Sequence, residues 1–178
     1  MVSKEFIKLW EPRYDVKKYP VSFYLSHLDK IQKTDTPETL KISLIALLHW
    51  KDGKAAEYEF GKISAKPNIL NPILIQTGSS MNSFFQFFMN LRRSKESELF
   101  SFARLFREKL NDMWKTVVIP AFVLHVARPD RLPIIDQHTI RAFLCLTIGN
   151  IVEKPKITWD IWEAYLSFFS GYGFSFWS

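Results

Sequence analysis

Along most of this chain apolar residues return at the three-and-four spacing of a helix face. In "PVSFYLSHLDKIQ" the repeating positions are Tyr24, Leu25, Leu28 and Ile31. In "TPETLKISLIALLHWKDGK" they are Leu40, Leu44, Leu47 and Leu48; Thr36 is placed to cap this helix, Pro37 suits its first position and Gly53 can end it. Before these, "KEFIKLWEP" predicts one or two turns stopped by Pro12. After Gly53 the pattern weakens, because Gly61, Pro67, Pro72 and Gly78 interrupt any long helix; a short strand pair or an irregular loop fits only here.

Helical spacing resumes at Met81. The rings of "MNSFFQFFMNLRR" are too dense for one narrow stripe, which predicts a helix buried on most sides or lining a pocket. Ser94 opens "SKESELFSFARLFREKLNDMW", with Leu99, Phe102, Phe106, Leu110 and Met113 on one face. Next come "KTVVIPAFVLHVA", where Pro120 is tolerated only near a helix start, and the turn "RPDRLP". In "DQHTIRAFLCLTIG" Asp136 reads as the N-cap and Gly149 as the residue past the end. The last helix, "TWDIWEAYLSFFSGYG", gathers Trp162, Tyr165, Leu166 and Phe169. The sum is an all-α fold of roughly seven to nine helices with little or no sheet. It forms a single helical domain over 1–178, or two closely packed lobes with a cleft: an N-terminal helical part over 1–80 and a core over about 81–170.

Composition adds a large core and a basic surface. Of 178 residues 47% are hydrophobic, and sixteen Phe and six Trp make core the first use of the rings, with a pocket or partner surface as the others. The net charge of +6 is not gathered in a tail, so it lies on the folded surface and favours nucleic acid or anionic ligands. Cys145, the one cysteine, cannot form an internal disulfide; within "FLCL" it reads as a small hydrophobe, and a reducing compartment fits. The start "MVSKEFIKLW" lacks the apolar core of a signal peptide and "VVIPAFVLHVA" is too short to span a bilayer, so a cytoplasmic protein with no membrane partner is expected.

No Cys or His cluster has zinc spacing, no glycine-rich loop could cradle phosphates, and no Gly-x-Ser-x-Gly elbow is present, so neither metal nor cofactor is expected. Of the scattered histidines, His125 sits on an apolar helix and reads as a satisfied core imidazole; His138 alone neighbours another candidate, Asp136. The pairs Arg92 and Arg93, and Lys51 and Lys54, read as solvated charges at helix ends. Arg128 and Arg131 differ, since their turn immediately precedes Asp136 and could meet a phosphate there. Asp136 itself supports two compatible roles, a helix cap and a working carboxylate.

The segment from Trp114 to Phe143 resembles the helix-hairpin-helix DNA glycosylase superfamily: helix, tight turn, helix, a connection ending in proline and aliphatics, then "DQHTIRAF". The resemblance places Asp136 on the catalytic aspartate, His138 on the histidine that follows it and Arg141 near the family's arginine. The turn stretch "DMWKTVV" holds none of the glycines of the family's hairpin, and Val118 stands where bifunctional members carry a Schiff-base lysine. A divergent, monofunctional member is implied, with a glycosylase-like core, duplex DNA as partner and Lys115 placed to meet a phosphate. A base flipped from the duplex would stack on rings such as Phe84, Phe85, Phe87, Phe88 or Trp114, and an Asp-assisted water would cleave its glycosidic bond. Two other readings stand beside this one: a catalytically inactive DNA-binding module of the same fold, and an all-α protein-interaction domain using the aromatic-rich end "FSGYGFSFWS".

Overall fold

The computed structural model describes residues 15–59, 80–110, 117–149 and 152–171. Among these residues the fold is all-α: eight α-helices and one 3₁₀ turn, with no strand. The turns expected in "KEFIKLWEP", the irregular stretch over 60–79 and the hairpin residues 111–116 lie outside the described residues. The chain divides into two compact units, Met1–Asn71 and Pro72–Ser178. No described helix is long and apolar enough to cross a membrane.

In the first unit, the Asp15 carboxylate accepts the backbone N–H groups of Lys17 and Lys18 at 3.1 and 3.0 Å, a turn that leads into α1, Val21–Lys33. Helix α1 buries Tyr24, Leu28 and Ile31 but leaves Leu25 exposed. Leu25 lies about 100° round the helix from Tyr24, so the buried stripe is narrower than the apolar pattern predicts. Helix α2, Pro37–Lys51, begins as expected, with the Thr36 hydroxyl accepting the Thr39 N–H at 3.3 Å. Its buried surface is wider than the leucine stripe, running unbroken from Ser43 to Trp50. Gly53 ends α2 at φ 71°, which lets the N–H groups of Gly53 and Lys54 reach the carbonyls of Trp50 and His49 at 2.9 and 2.8 Å. The short helix α3, Ala55–Glu59, follows.

Rings hold these three helices together. The Trp50 indole donates to the Pro20 carbonyl at 3.0 Å, and its ring meets Tyr24 at 4.8 Å and Tyr19 edge-on at 5.8 Å. A second group joins α1, α2 and α3: His49 stacks on Tyr58 at 5.1 Å, and Phe23 contacts His27 at 4.6 Å and Tyr58 at 6.4 Å. His49 is only 5% exposed, and neither of its ring nitrogens has a hydrogen-bond partner among the described residues. Burial, and then the Lys54 charge, hold its pKa below the usual imidazole value against the opposite pull of Asp52. Burial and Lys30 do the same to His27.

The second unit opens with α4, Met81–Arg93, capped by Ser80 through the Ser83 N–H at 3.2 Å. Phe84, Phe85, Phe88, Met89 and Leu91 are buried while Asn82, Ser83, Gln86 and Asn90 are exposed, so α4 keeps one wet face instead of being enclosed on most sides. Ser94 closes α4, donating its hydroxyl to the Leu91 carbonyl at 2.7 Å, where the sequence pattern placed it at the start of the next helix. A 3₁₀ turn over Glu96–Glu98, held by Lys95 N–H to Glu98 at 2.9 Å, leads into α5, Leu99–Leu110. Phe87 of α4 stacks on Phe106 of α5 at 5.4 Å.

Helix α6, Val118–Ala127, is buried at every residue from Pro120 onward; Pro120 is its third residue, where no helical N–H bond is lost. Helix α7, Gln137–Ile148, starts after Asp136 and ends at Gly149 with φ 70°, both as the sequence predicts. It buries Ile140 and Phe143 and exposes Cys145, Leu146 and Ile148 at its far end, so Cys145 is not the core thiol that its apolar neighbours suggest. Helix α8, Trp159–Gly171, is capped by the Thr158 hydroxyl through the Ile161 N–H at 3.3 Å. Phe143 of α7 meets Tyr165 and Phe168 of α8 edge-on at 5.6 and 5.4 Å.

The two imidazoles with lowered pKa, His49 buried and His27 half-buried, give the first unit an acid sensitivity. With their folded pKa values lowered, the unfolded chain takes up protons first as pH falls below about 6.5. Stability is therefore full above that value and declines below it. A denaturant midpoint followed from pH 7.5 to 5 should fall in the wild type, and His49→Phe, which keeps a ring against Tyr58, should flatten the decline. An unchanged profile in the variant would remove His49 from the account.

Candidate active site

The site is built on the connection from α6 to α7. Because α6 is enclosed in apolar surroundings, the polar groups at its end find partners within the protein. His125 bonds through Nδ1 to the Leu132 carbonyl; since a carbonyl only accepts, the hydrogen sits on Nδ1, and the imidazole is satisfied in the core as expected. The backbone folds back at the same place, with Leu132 N–H reaching the Arg128 carbonyl at 2.8 Å. Leu132 and Ile135 are buried and anchor the loop from behind.

Arg128 and Arg131, adjacent in sequence, serve differently. The Arg128 side chain is only 13% exposed; its Nη1 donates to the Ser94 carbonyl at 2.6 Å, and Nε and Nη2 reach the Asp130 carboxylate at 3.1 and 3.2 Å. It braces the loop against the end of α4. Burial would raise the Asp130 pKa, but the hydrogen bonds and charge of Arg128, aided by Arg131, bring it below the usual range. Arg131 is 43% exposed, with Glu96 and Asp130 each 3.4 Å away, and is the arginine of the pair with surface to offer a ligand.

Asp136 leaves this loop half-buried at the N-terminus of α7. Its Oδ1 accepts the Thr139 N–H at 2.8 Å, and its own N–H donates to the Thr139 hydroxyl oxygen at 2.9 Å, a reciprocal cap. The Thr139 hydroxyl in turn donates to the Asp136 carbonyl at 3.1 Å. From α8 the buried Tyr165 approaches Thr139 and Asp136. Burial raises the Tyr165 pKa; the nearby Thr139 hydroxyl opposes the rise and the Asp136 charge adds to it.

The other expected residues are less closely gathered. His138 is exposed on the first turn of α7. Arg141 is half-buried, 3.5 Å from the Gln137 side chain, with its Nε buried and unpartnered among the described residues. Trp114 and Lys115 lie outside the described residues. Phe84, Phe85 and Phe88 belong to the core, while Phe87 is half-buried between Phe102 and Phe106. Sequence reasoning missed Thr139, although the spacing Asp-x-x-Thr was a readable sign of it.

Chemically, this is one carboxylate held in a fixed position beside a basic, braced loop. That suits stabilisation of a developing cation or orientation of a water. Among the described residues no group of His, Cys, Asp and Glu is placed to hold a metal ion.

The two arginines make a direct test of the loop. Arg128→Met removes charged hydrogen bonds from a largely buried side chain and should cost about 2 kcal/mol in denaturant unfolding. Arg131→Met breaks only long, exposed pairs and should cost about 0.5 kcal/mol or less. Equal losses would show that Arg128 is not the brace. Comparison of this chain with protein-family models, with curated proteins and with solved structures finds no match, so a functional reading rests on these residues themselves.

Proposed function

We propose that the chain is a DNA glycosylase of the helix-hairpin-helix kind, monofunctional, acting on a base flipped out of duplex DNA. The observation that carries this reading is the Asp136 carboxylate: it is fixed at the start of α7 directly after the arginine-braced loop, in the sequence "PIIDQHTIRAF" that resembles the family's catalytic segment. In the reaction the bond from the sugar C1′ to the base nitrogen breaks and its electron pair leaves with the base. Positive charge grows on the sugar, where the carboxylate stabilises it. Water then bonds to C1′, Asp136 accepts its proton, and the base takes up a proton as it departs. Val118, an aliphatic residue on the first turn of α6, offers no amine for a Schiff base. The net charge of +6 and the exposure of Arg131 favour the phosphate backbone as the surface that is bound.

The deciding experiment is base release from duplexes carrying a panel of lesions, with undamaged DNA as control. Asp136→Asn keeps a capping oxygen and should unfold with the wild type, yet release base about 100-fold more slowly or worse, with duplex affinity held or raised. Asp136→Ala should also lose about 0.5–2 kcal/mol of stability, because the cap is gone. An Asn variant with wild-type release reduces Asp136 to a cap. Salt-sensitive duplex binding without release from any lesion would identify an inactive DNA-binding module, and absence of duplex binding would favour a protein-interaction domain. Borohydride should trap no covalent complex with damaged or abasic DNA; a trapped adduct would mean that a lysine elsewhere, with Lys115 the first to test, acts as nucleophile.

A further inference from the structure

We propose that Arg93 and Lys95, at the end of α4, form with Arg131 a single surface that binds the phosphates of duplex DNA. The proposal takes its partner from the DNA reading above and does not depend on base release.

In the sequence Arg92 and Arg93 read as solvated charges at a helix end, but the fold gives that end a particular neighbour. The Arg128 guanidinium donates to the Ser94 carbonyl at 2.6 Å, which holds Arg93 and Lys95, on either side of Ser94, beside the loop that carries Arg131. A second tie runs from Arg131 to Glu96, 3.4 Å apart. Segments distant in the chain, 92–98 and 128–131, thus share one stretch of surface and bring five cations and three carboxylates to it.

The character of this surface depends on how the carboxylates are used. Glu98 accepts the Lys95 backbone N–H at 2.9 Å, and Asp130 takes two bonds from Arg128 at 3.1 and 3.2 Å. Glu96 and Asp130 each lie 3.4 Å from Arg131. Among the described residues no carboxylate pairs with the Arg93 guanidinium or the Lys95 ammonium, and both side chains are exposed. Beside them Arg92 is half-buried, and burial and then the Arg93 charge lower its pKa, as expected where positive charge is crowded.

An anion with several charges relieves such crowding. Exposed ion pairs add little stability, so Arg131 gives up its long contacts to Glu96 and Asp130 for a phosphate at small loss. A DNA strand offers a phosphate about every 3.4 Å of helix axis, so neighbouring phosphates can meet several of these cations at once. The arginines present a planar fork to phosphate oxygens and the lysine a point charge. Arg128, whose bonds go to Ser94 and Asp130, keeps the two halves of the surface together.

Duplex affinity across a salt series would be measured for the full chain as wild type, Arg93→Met, Arg93→Met with Lys95→Met, and Lys154→Met. Lys154 is an exposed lysine on the connection from α7 to α8 and controls for loss of charge alone. All three side chains are exposed, so the variants keep the wild-type fold. The slope of log K against log salt should become shallower by about 0.9 in Arg93→Met and about 1.8 in the double variant. At about 0.1 M salt the double variant should bind about tenfold more weakly or worse, with Lys154→Met within about twofold of the wild type. An unchanged slope in the double variant overturns the proposal, as does an equal loss in Lys154→Met and Arg93→Met. Binding of phosphatidylserine vesicles without binding of duplex also overturns it. If duplex is bound and the slopes change as described but no lesion is processed, the surface stands and the glycosylase reading alone fails. If base is released and the double variant keeps the wild-type slope, that reading stands and the surface fails.

Discussion

Residues Pro120 to Ala127 of α6 are all shut away from water, and this constraint orders the rest of the second unit. A helix so enclosed cannot leave the polar groups at its end to the solvent, because an unpartnered buried group costs about 1–3 kcal/mol. His125 and Arg128 answer that demand from within, one bonding the Leu132 carbonyl and the other the Ser94 carbonyl. Those same bonds fix the path of the loop, and the path of the loop fixes where Asp136 emerges. Stability of the core and placement of the carboxylate are consequences of one arrangement.

The parts of this fold that could be read in advance are those decided within a few residues. Thr36 and Asp136 announce helix starts because a short oxygen-bearing side chain reaches an amide three residues on, and Gly53 and Gly149 announce helix ends because both take a positive φ. What was misread depended on distant surroundings. Leu25 and Cys145 have apolar neighbours in sequence but face outward. Ser43, His49 and Trp50 are buried beside the leucines although the stripe does not include them. The candidate site divides in the same way: Asp136 was visible as a local signal, whereas the Arg128 bond to Ser94 spans 34 positions.

The Asp136 cap is compatible with a reactive role for the same residue. Capping uses Oδ1 toward a backbone amide, which restricts rotation of the carboxyl group and so fixes the direction in which its charge acts. The bonds that stabilise the first turn of α7 therefore also remove conformations that a working carboxylate would have to lose on meeting its substrate. In such a site local rigidity and reactivity support each other.

The exposed thiol at the far end of α7 has a practical meaning for anyone handling the protein. Cys145 is the only cysteine in the sequence, and it sits on the surface. It lies nine residues beyond Asp136 on an uninterrupted helix, about 14 Å along the axis. A maleimide dye or nitroxide would therefore couple at one defined address on the same rigid rod that carries the carboxylate, with no mutation required. The chain supplies its own fixed reference point for measuring distances to whatever approaches the start of that helix.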